Sequence, residues 1–251
     1  DYIALDAIEK CYKCAVENNA DIVSFGYSRV NQNDGIIDSL IPQPSKYIFE
    51  GKEIQEILLP DMIAPDTRTG KVTNLWMSMC GALFSMELIG KSNWRMVSER
   101  NIISEDVYSL LKLYKNVKKA VVIPETFYFY CENFSSLTHT YKQDRFEKIK
   151  DFYIECQKVC DEFDYADVVR ERLKYPFLSN TIAAMKMIIM SDQNRQQKEK
   201  LFHDIIDDVL LQQILHEIPL IKERRNRRLL LNFMKLKMYT SCYFLIRIKI
   251  K

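Results

Sequence analysis

Two adjacent carboxylates, Glu105 and Asp106, are the side chains that the sequence best places for chemistry. They precede an apolar pattern typical of a helix, so both fall in a predicted first helical turn. A carboxylate held rigidly at a helix start, at the mouth of a sheet, can serve as a general base. The alternative is structural, because the helix dipole favours acidic residues in any first turn. Spacing alone leaves both interpretations open.

The sequence clearly predicts the helix and the strand that must position these acids. Ser104 is expected to cap the helix, since its hydroxyl can accept hydrogen bonds from the free amides of the first turn. Apolar residues then recur at helical spacing on one face: Val107, Leu110, Leu111 and Tyr114. Residues 120–123 form a short apolar run, which we expect to be a buried strand that ends at Pro124. The aromatic residues 127–130 also favour extended strand structure.

The first part of the chain also predicts alternating helices and strands. Residues 6–19 have the spacing of an amphipathic helix, and residues 21–30 are rich in residues that favour strands. A further helix is expected over residues 51–59, ending at Pro60. These patterns predict an α/β fold for this part of the chain.

Length and composition bound the possible classes of protein. With 251 residues, of which 47% are hydrophobic, the chain can bury a sizeable core in one large domain or two small ones. Glycine is scarce, and neither a G-x-G-x-x-G nor a Walker-type phosphate loop occurs. No apolar run reaches the length of a membrane span. The start is acidic and amphipathic and lacks both Met and a secretory signal, so we expect a fragment of a longer protein.

The cysteines suggest reduced thiols rather than a disulfide or zinc framework. There are seven of them at irregular spacing, and two pairs lie inside predicted helices, Cys11 with Cys14 and Cys156 with Cys160. No second pair of Cys or His completes a zinc site. This usage is typical of a cytosolic protein.

Three stretches together resemble bacterial family 2 glycosyltransferases, which have the GT-A fold. Residues 1–30, DYIALDAIEKCYKCAVENNADIVSFGYSRV, are similar to the segment after the family's acidic metal-binding motif. The ISED helix start, the apolar strand with Pro124, and the N-x-x-SLTH motif that ends at His139 resemble the second half of those enzymes. Residues 74–89 resemble a strand that runs into a short helix, although Ala82 stands where the family usually carries Lys.

The resemblance covers about residues 1–142 and implies the C-terminal portion of such an enzyme, without its N-terminal nucleotide-binding half. The implied fold is a partial, Rossmann-like GT-A sheet with helices. The implied reaction is an inverting transfer of a sugar from a nucleotide-diphosphate sugar, a UDP-sugar, to a hydroxyl acceptor. The implied setting is cell-surface polysaccharide or lipid-linked glycan assembly. Because most of the donor side is missing, we expect this chain alone to be inactive.

The resemblance also assigns roles to four residues. Asp106 matches the family's catalytic base, and Glu105 becomes a secondary or structural acid. Asp1 matches the last acid of the motif that holds Mg²⁺ or Mn²⁺. His139 matches a histidine that completes the metal site in some members, and a surface or structural histidine is the alternative.

Four other side chains are candidates for substrate binding: Trp76, Trp94, Arg95 and Arg100. An exposed indole can pack on the C–H groups of a sugar, whereas a buried one is a core or interface aromatic. The arginines can meet a phosphate of the donor or of a lipid-linked acceptor. Solvated surface arginines are the alternative.

Residues 143–251 differ in character from the first part of the chain. Apolar residues repeat at helical spacing, and no strand pattern interrupts them until the end. We therefore predict two domains, an acceptor-side half of a GT-A domain over 1–142 and a helical C-terminal extension over 143–251.

The last residues concentrate positive charge. From Lys222 onward, ten basic residues face one acid, Glu223, so this segment carries a charge near +9 and leaves near −7 for the rest. Apolar and aromatic residues accompany the basic ones, which suits an interfacial helix on an anionic membrane surface. Each Lys or Arg there is worth about 1 kcal/mol. A partly buried helix with a solvated basic face is the alternative, and nucleic acid ranks last because no motif supports it.

A non-catalytic interpretation competes with the enzyme hypothesis. A helical membrane-surface interaction protein would explain the C-terminal half, and Glu105 with Asp106 would then be an ordinary helix start. Under the enzyme hypothesis the partners are a nucleotide-sugar donor and a glycan or lipid-linked acceptor. The expected location is cytoplasmic, with the possibility of a peripheral position on the inner face of the cell membrane.

Overall fold

The computed structural model describes residues 1–31, 35–131, 142–220 and 223–248. The chain divides into two compact units. The first consists of the described residues within 1–65, 71–133 and 155–173, and the second of those within 66–70, 134–154 and 174–251. Residues 155–173 thus belong to the first unit although they follow residue 142. The predicted division into 1–142 and 143–251 stays a prediction.

The first unit contains a mixed sheet of six strands. They are β1 (Tyr2–Ile3), β2 (Ile22–Val30), β3 (Ile36–Leu40), β4 (Ile48–Glu50), β5 (Ala82–Phe84) and β6 (Lys119–Cys131). Their order is β1-β6-β2-β3, with β4 also paired to β6 and β5 to β2. Strands β2 and β6 are parallel, and the other pairs are antiparallel. The carboxyl ends of β2 and β6 therefore lie at the same edge of the sheet.

Four helices accompany this sheet: α1 (Ala7–Asn18), α2 (Leu59–Ile63), α3 (Met86–Lys91) and α4 (Glu105–Tyr114). A π-helical turn, Ile54–Leu58, leads directly into α2. Asn19 follows the last residue of α1 and adopts the left-handed backbone conformation common at helix ends. The buried face of α1 packs in a hydrophobic cluster with the sheet: Ala7, Cys11, Val23, Phe25, Val121 and Phe127.

Helix α4 is fixed by its apolar face, as its spacing predicts. Leu110, Leu111 and Tyr114 are each at most 1% exposed. The Tyr114 hydroxyl lies 3.2 Å from the sulfur of Met62 in α2. The Tyr165 hydroxyl donates to the Leu111 carbonyl oxygen at 2.6 Å. These contacts hold the helix rigidly, and so they also hold the acids at its start.

Two prolines do not end the elements that the sequence assigned to them. Pro124 lies inside β6, so the predicted strand end there is wrong. Between the pairs Ser24–Val122 and Gly26–Thr126, β2 advances by two residues and β6 by four. This bulge removes the need for a ladder N–H at the proline. Pro60 lies in the first turn of α2, which continues directly from the π-helical turn Ile54–Leu58, so the predicted helix end at Pro60 is also wrong.

The remaining helices follow one another along the chain. They are α5 (Arg145–Glu162), α6 (Asp167–Met190), α7 (Arg195–Ile206), α8 (Val209–Glu217), α9 (Arg225–Lys235) and α10 (Tyr239–Ile248). No strand occurs among the described residues after Cys131. The predicted fold class, an α/β sheet followed by a helical C-terminal region, is confirmed.

The second unit has its own apolar core. Phe202, Ile206, Leu211, Leu231 and Met234 are each at most 2% exposed. Helix α7 begins with a capping box, in which Asn194 and Gln197 exchange side-chain to backbone hydrogen bonds. None of the helices in the described ranges combines the length and apolarity needed to span a bilayer.

Candidate active site

The carboxylate of Asp106 is held by a serine from a different segment. Ser78 Oγ donates to Asp106 Oδ2 at 2.9 Å. The same hydroxyl caps a short 3₁₀ turn, Met79–Gly81, where it accepts from the Cys80 N–H at 3.3 Å. Because the Cys80 amide occupies a lone pair of Ser78, the serine proton is directed toward the carboxylate. Asp106 is only partly exposed, so its orientation is set by this contact.

The start of α4 differs from the predicted cap. Ser104 occupies the N-cap position, but its side chain makes no capping hydrogen bond and its backbone is left-handed, with φ at 56°. The expected hydroxyl cap is therefore wrong. A left-handed serine carries strain of about 1 kcal/mol or more, which the packed helix must offset. Such strain is concentrated here at the turn that presents Glu105 and Asp106.

Glu105 is only partly exposed, so its carboxyl lies in a less polar environment than water. Burial is the largest influence and raises the pKa of Glu105. The negative charges of Asp106 and Glu99 raise it further, while the hydrogen bond to its own backbone N–H lowers it. Glu105 therefore retains its proton to a higher pH than an ordinary glutamate.

Trp76 lies at the centre of an aromatic cluster. Its indole N–H donates to the Phe25 carbonyl oxygen of β2 at 2.9 Å. Its ring centroid is 4.3 Å from that of Tyr27 and 5.9 Å from that of Tyr128. A Cβ atom at Gly81 would lie 2.6 Å from the indole, so only glycine fits beneath the ring. Trp76 is half-buried, and its predicted role as a sugar platform stays a prediction.

Asp1 is bound to the carboxyl end of β6. Tyr128 Oη donates to Asp1 Oδ2 at 2.6 Å, and the Cys131 N–H donates to Oδ1 at 2.8 Å. Burial, followed by the neighbouring Cys80 thiol, raises the pKa of Tyr128 and keeps its hydroxyl a donor. Asp1 thus lies at the sheet edge where β2 and β6 both end.

A chain of contacts connects the two predicted acidic positions. Asp1 binds Tyr128, Tyr128 packs beside Trp76, and Trp76 shares the segment 74–81 with Ser78, which binds Asp106. The structure therefore links Asp1, Trp76 and Asp106 through these contacts and the segment 74–81, and Glu105 precedes Asp106 in the chain. The predicted metal ligand His139 lies outside the described residues.

The remaining predicted site residues have other surroundings. Trp94 is 9% exposed, and its indole N–H donates to the Ser109 carbonyl oxygen of α4 at 2.6 Å. These contacts correspond to the alternative of a core aromatic. Arg95 and Arg100 are exposed on the same loop, and Arg95 donates to the Trp94 carbonyl oxygen at 2.7 Å. Their predicted phosphate contacts stay predictions.

Sequence reasoning did not identify three residues that organise this region: Ser78, Ser109 and Tyr128. Ser109 is buried on α4, where its hydroxyl accepts from the Val97 N–H at 3.1 Å and so anchors the loop before the helix. A serine inside an otherwise apolar helical face was the available signal for Ser109. Ser78 and Tyr128 have no such local signal, because their partners are distant in sequence.

Comparisons with known proteins support the fold. No protein-family model matches the chain, and no curated protein matches it. Among solved structures, S. aureus TarS residues 1–349 in complex with UDP-GlcNAc matches 98% of this chain at 13% identity, with a TM-score of 0.52. The same TarS segment in complex with UDP matches at 12% identity with a TM-score of 0.53, and TarS itself at 12% with 0.54.

This chain covers 64%, 63% and 38% of those three chains, less than two thirds of each. At such low identity the likeness shows the fold alone. TarS is a glycosyltransferase, and this chain shares its type of fold, an α/β sheet followed by a helical region.

Proposed function

We propose that this chain carries the acceptor side and the general base of an inverting glycosyltransferase of the family 2 type, as its C-terminal portion. The observation that supports this most is the Asp106 carboxylate, fixed by Ser78 at the start of α4. It occurs in a fold similar, over 98% of the chain, to a protein crystallised with UDP-GlcNAc. The proposed donor is accordingly a UDP-sugar.

In the proposed reaction, the acceptor hydroxyl attacks the anomeric carbon of the sugar. The bond from that carbon to the diphosphate oxygen breaks, and the diphosphate leaves with the electron pair, so the configuration inverts. Asp106 accepts the proton of the hydroxyl as it attacks. Because Ser78 donates to Oδ2, the other oxygen, Oδ1, is the proposed proton acceptor.

Glu105 has a supporting part in this proposal. Its raised pKa means that it loses its proton less readily than an ordinary glutamate. When Glu105 holds its proton, it places no negative charge beside Asp106. Glu105 is therefore proposed as a secondary acid, and Asp106 as the group that contacts the acceptor.

A role for Mg²⁺ or Mn²⁺ follows from the resemblance, since such ions neutralise a leaving diphosphate. The residues that the structure describes fit this role poorly. Both Asp1 oxygens accept hydrogen bonds from protein groups, and no cluster of three His, Cys, Asp or Glu among the described residues could hold an ion. No step is assigned to a metal. A metal requirement stays a prediction, which chelation of the full-length protein would test.

The biological setting is proposed from the same resemblance. The full-length protein would act in cell-surface polysaccharide or lipid-linked glycan assembly, at the cytoplasmic face of the membrane. The donor side would come from sequence outside this chain, and we expect the isolated chain neither to bind UDP tightly nor to transfer sugar. Turnover by the isolated chain would contradict that expectation.

The direct test is UDP release by the full-length protein from a panel of UDP-sugars, with and without glycan acceptors. We expect release with one donor, and loss of that release in Asp106→Asn. The matched control is Asp192→Asn, the same chemical change at an exposed position in the second unit, which should leave release unchanged. Equal release by Asp106→Asn and the unmodified protein would remove Asp106 from the reaction.

We propose a second function, binding to an anionic membrane surface, on the basis of α9 and α10. One side of α9 is buried through Leu230, Leu231 and Met234, as a partly buried helix requires. Other side chains of the region expose large apolar surface: Leu229, Leu236, Met238, Phe244 and Ile248. Exposed basic residues accompany them: Arg224, Arg225, Arg228, Lys237 and Arg247. Sedimentation with vesicles tests this, and equal binding to neutral and anionic vesicles would contradict it.

A further inference from the structure

A cavity of about 480 Å³ lies between α7 and α10 in the second unit. Aromatic rings form much of its wall. The rings of Phe202 and Tyr243 have centroids 5.3 Å apart, and His203 stacks on Tyr239 with centroids 3.8 Å apart. Polar and charged side chains complete the lining: Arg195, Glu199, Thr240 and Arg247. Neither the fold comparison nor the proposed glycosyl transfer assigns a role to this cavity.

The charges around the cavity leave one cation available. Arg195 Nε binds Glu199 Oε1 at 2.7 Å, so these two charges offset each other. Asp207 lies beside the stacked rings, where it accepts from Tyr239 and pairs with Lys237 at 2.8 Å. Within the described part of the chain, no carboxylate pairs with Arg247, whose side chain is exposed. The cavity therefore favours an anionic group, which a guanidinium binds well when it is a phosphate.

The same helix exposes apolar side chains next to this cation. Phe244 is 62% exposed and Ile248 is 55% exposed. Together with Thr240 they are spaced four residues apart, so they share one face of α10, and Arg247 is adjacent to that face. A soluble phosphate or a nucleic acid would leave Phe244 and Ile248 in water. A bilayer accommodates both features, because apolar side chains enter the acyl region while arginine stays at the level of the phosphates.

We infer that the cavity between α7 and α10 binds the phosphate head group of an anionic membrane lipid, with Arg247 and Thr240 as the phosphate contacts. This rests on the proposed membrane-surface binding and narrows it to one ligand group. Thr240 can donate through its hydroxyl, and Tyr243 covers the apolar part of the head group. A terminal phosphate monoester enters the cavity more readily than a phosphodiester that carries a further substituent, because the monoester is smaller and more highly charged.

Vesicle sedimentation of the intact chain tests this proposal with three lipid compositions. The two anionic compositions are matched in total charge. They are phosphatidylcholine alone, phosphatidylcholine with phosphatidylglycerol, and phosphatidylcholine with phosphatidic acid. We expect no binding to the neutral vesicles and about fivefold stronger binding to phosphatidic acid than to phosphatidylglycerol, the equivalent of one well-placed cation. Arg247→Gln should abolish that preference. The matched control Arg225→Gln, on α9 and outside the cavity, should weaken binding to both anionic vesicles equally.

The outcomes separate the two proposals. Absence of binding to any anionic vesicle would overturn the membrane surface and the head-group site together. Equal binding to the two anionic vesicles, or an unchanged preference in Arg247→Gln, would overturn the head-group site and leave the membrane surface standing. Phe244→Ser should weaken binding to both anionic vesicles. Tight calorimetric binding of soluble glycerol 3-phosphate, unaffected by Phe244→Ser, would assign the cavity to a free phosphate and contradict the lipid.

Discussion

The candidate active site and the surface of α9 and α10 hold their polar groups in opposite ways. In the candidate active site, two acids are bound by distant parts of the chain: Ser78 binds Asp106 at the start of α4, and Tyr128 binds Asp1 at the end of β6. On α9 and α10, basic side chains and large apolar side chains are exposed together, as at Arg247 and Phe244. The first arrangement is organised before any ligand arrives, as catalysis requires. The second leaves apolar and basic side chains such as Phe244 and Arg247 available to a partner outside the molecule.

Asp106→Asn should have the largest effect of the substitutions in the candidate active site, and the effect should be on turnover. The amide cannot accept the proton of the acceptor, and general-base catalysis typically contributes 10²- to 10⁴-fold. We expect kcat of the full-length protein to fall by about 10³-fold while its circular dichroism stays unchanged. A loss of less than about tenfold would place the base elsewhere.

Gly81→Ala should have the next largest effect, on stability. The new Cβ would lie 2.6 Å from the Trp76 indole, which is fixed by its bond to Phe25. Overpacking of this kind costs about 1–3 kcal/mol, which urea unfolding of this chain would measure.

Gly90→Ala is the matched control for this change. Gly90 lies in α3, and a Cβ there meets nothing within 4 Å. Alanine in a helix should then raise stability by about 0.5–1 kcal/mol. Equal stability of the two alanine variants would show that Trp76 is free to move, and the claim of a preorganised site would weaken.

Ser78→Ala should have a smaller effect on turnover. It removes the 2.9 Å hydrogen bond that orients Asp106, but the carboxylate itself remains. One hydrogen bond to a charged group is worth about 1.5–3 kcal/mol when fully lost, and water can replace part of it. We expect kcat to fall about tenfold with little change in KM. Ser78→Thr, which retains the hydroxyl, should recover most of the rate, and an equal loss in both variants would contradict an orienting role.

Glu105→Gln should have the smallest effect. It should appear only as a change in how the free energy of unfolding depends on pH. Burial raises the pKa of Glu105 above its ordinary value of 4.5, so the folded state binds this proton more tightly than the unfolded state. Stability from the protonated form is complete below the unfolded-state pKa and is lost as the pH rises through the folded-state pKa. The variant should therefore gain stability relative to the unmodified chain over the pH range that begins near the ordinary value of 4.5 and extends upward. A constant difference in unfolding free energy across this range would contradict the burial of Glu105.

Local patterns were sufficient to predict much of the fold. The strand-forming residues of β2 gave that strand within one residue, and the apolar spacing of α4 gave the start and the buried face of that helix. The end of α4 was placed too late, at Lys118 and Lys119, although the helix ends at Tyr114. The predicted element ends at the two prolines were wrong, because the effect of a proline depends on its position within a helix or strand. Pro60 is tolerated where the π-helical turn passes into α2, and Pro124 is tolerated where β6 bulges against β2. Neither circumstance is visible in the local sequence.

The candidate site was predicted less completely, since its geometry depends on long-range contacts. The two acids were found because a helix start is a local feature. Ser78 and Asp106 are 28 residues apart, and Asp1 and Tyr128 are 127 apart, so no spacing rule connects them. The different surroundings of Trp76 and Trp94 were likewise left open by sequence. Only the packing of the segment 74–81 against β2, and of Trp94 against α4, distinguishes the half-buried ring from the buried one.

The most direct test of the central claim is a double-mutant cycle on acceptor-dependent UDP release by the full-length protein. The claim is that Ser78 and Asp106 act as one unit in glycosyl transfer. The account predicts that Ser78→Ala lowers the rate in the unmodified background and changes nothing further once Asp106 is replaced by Asn. If the two losses instead multiply, Ser78 acts independently of Asp106, and the proposed orientation of the base is wrong.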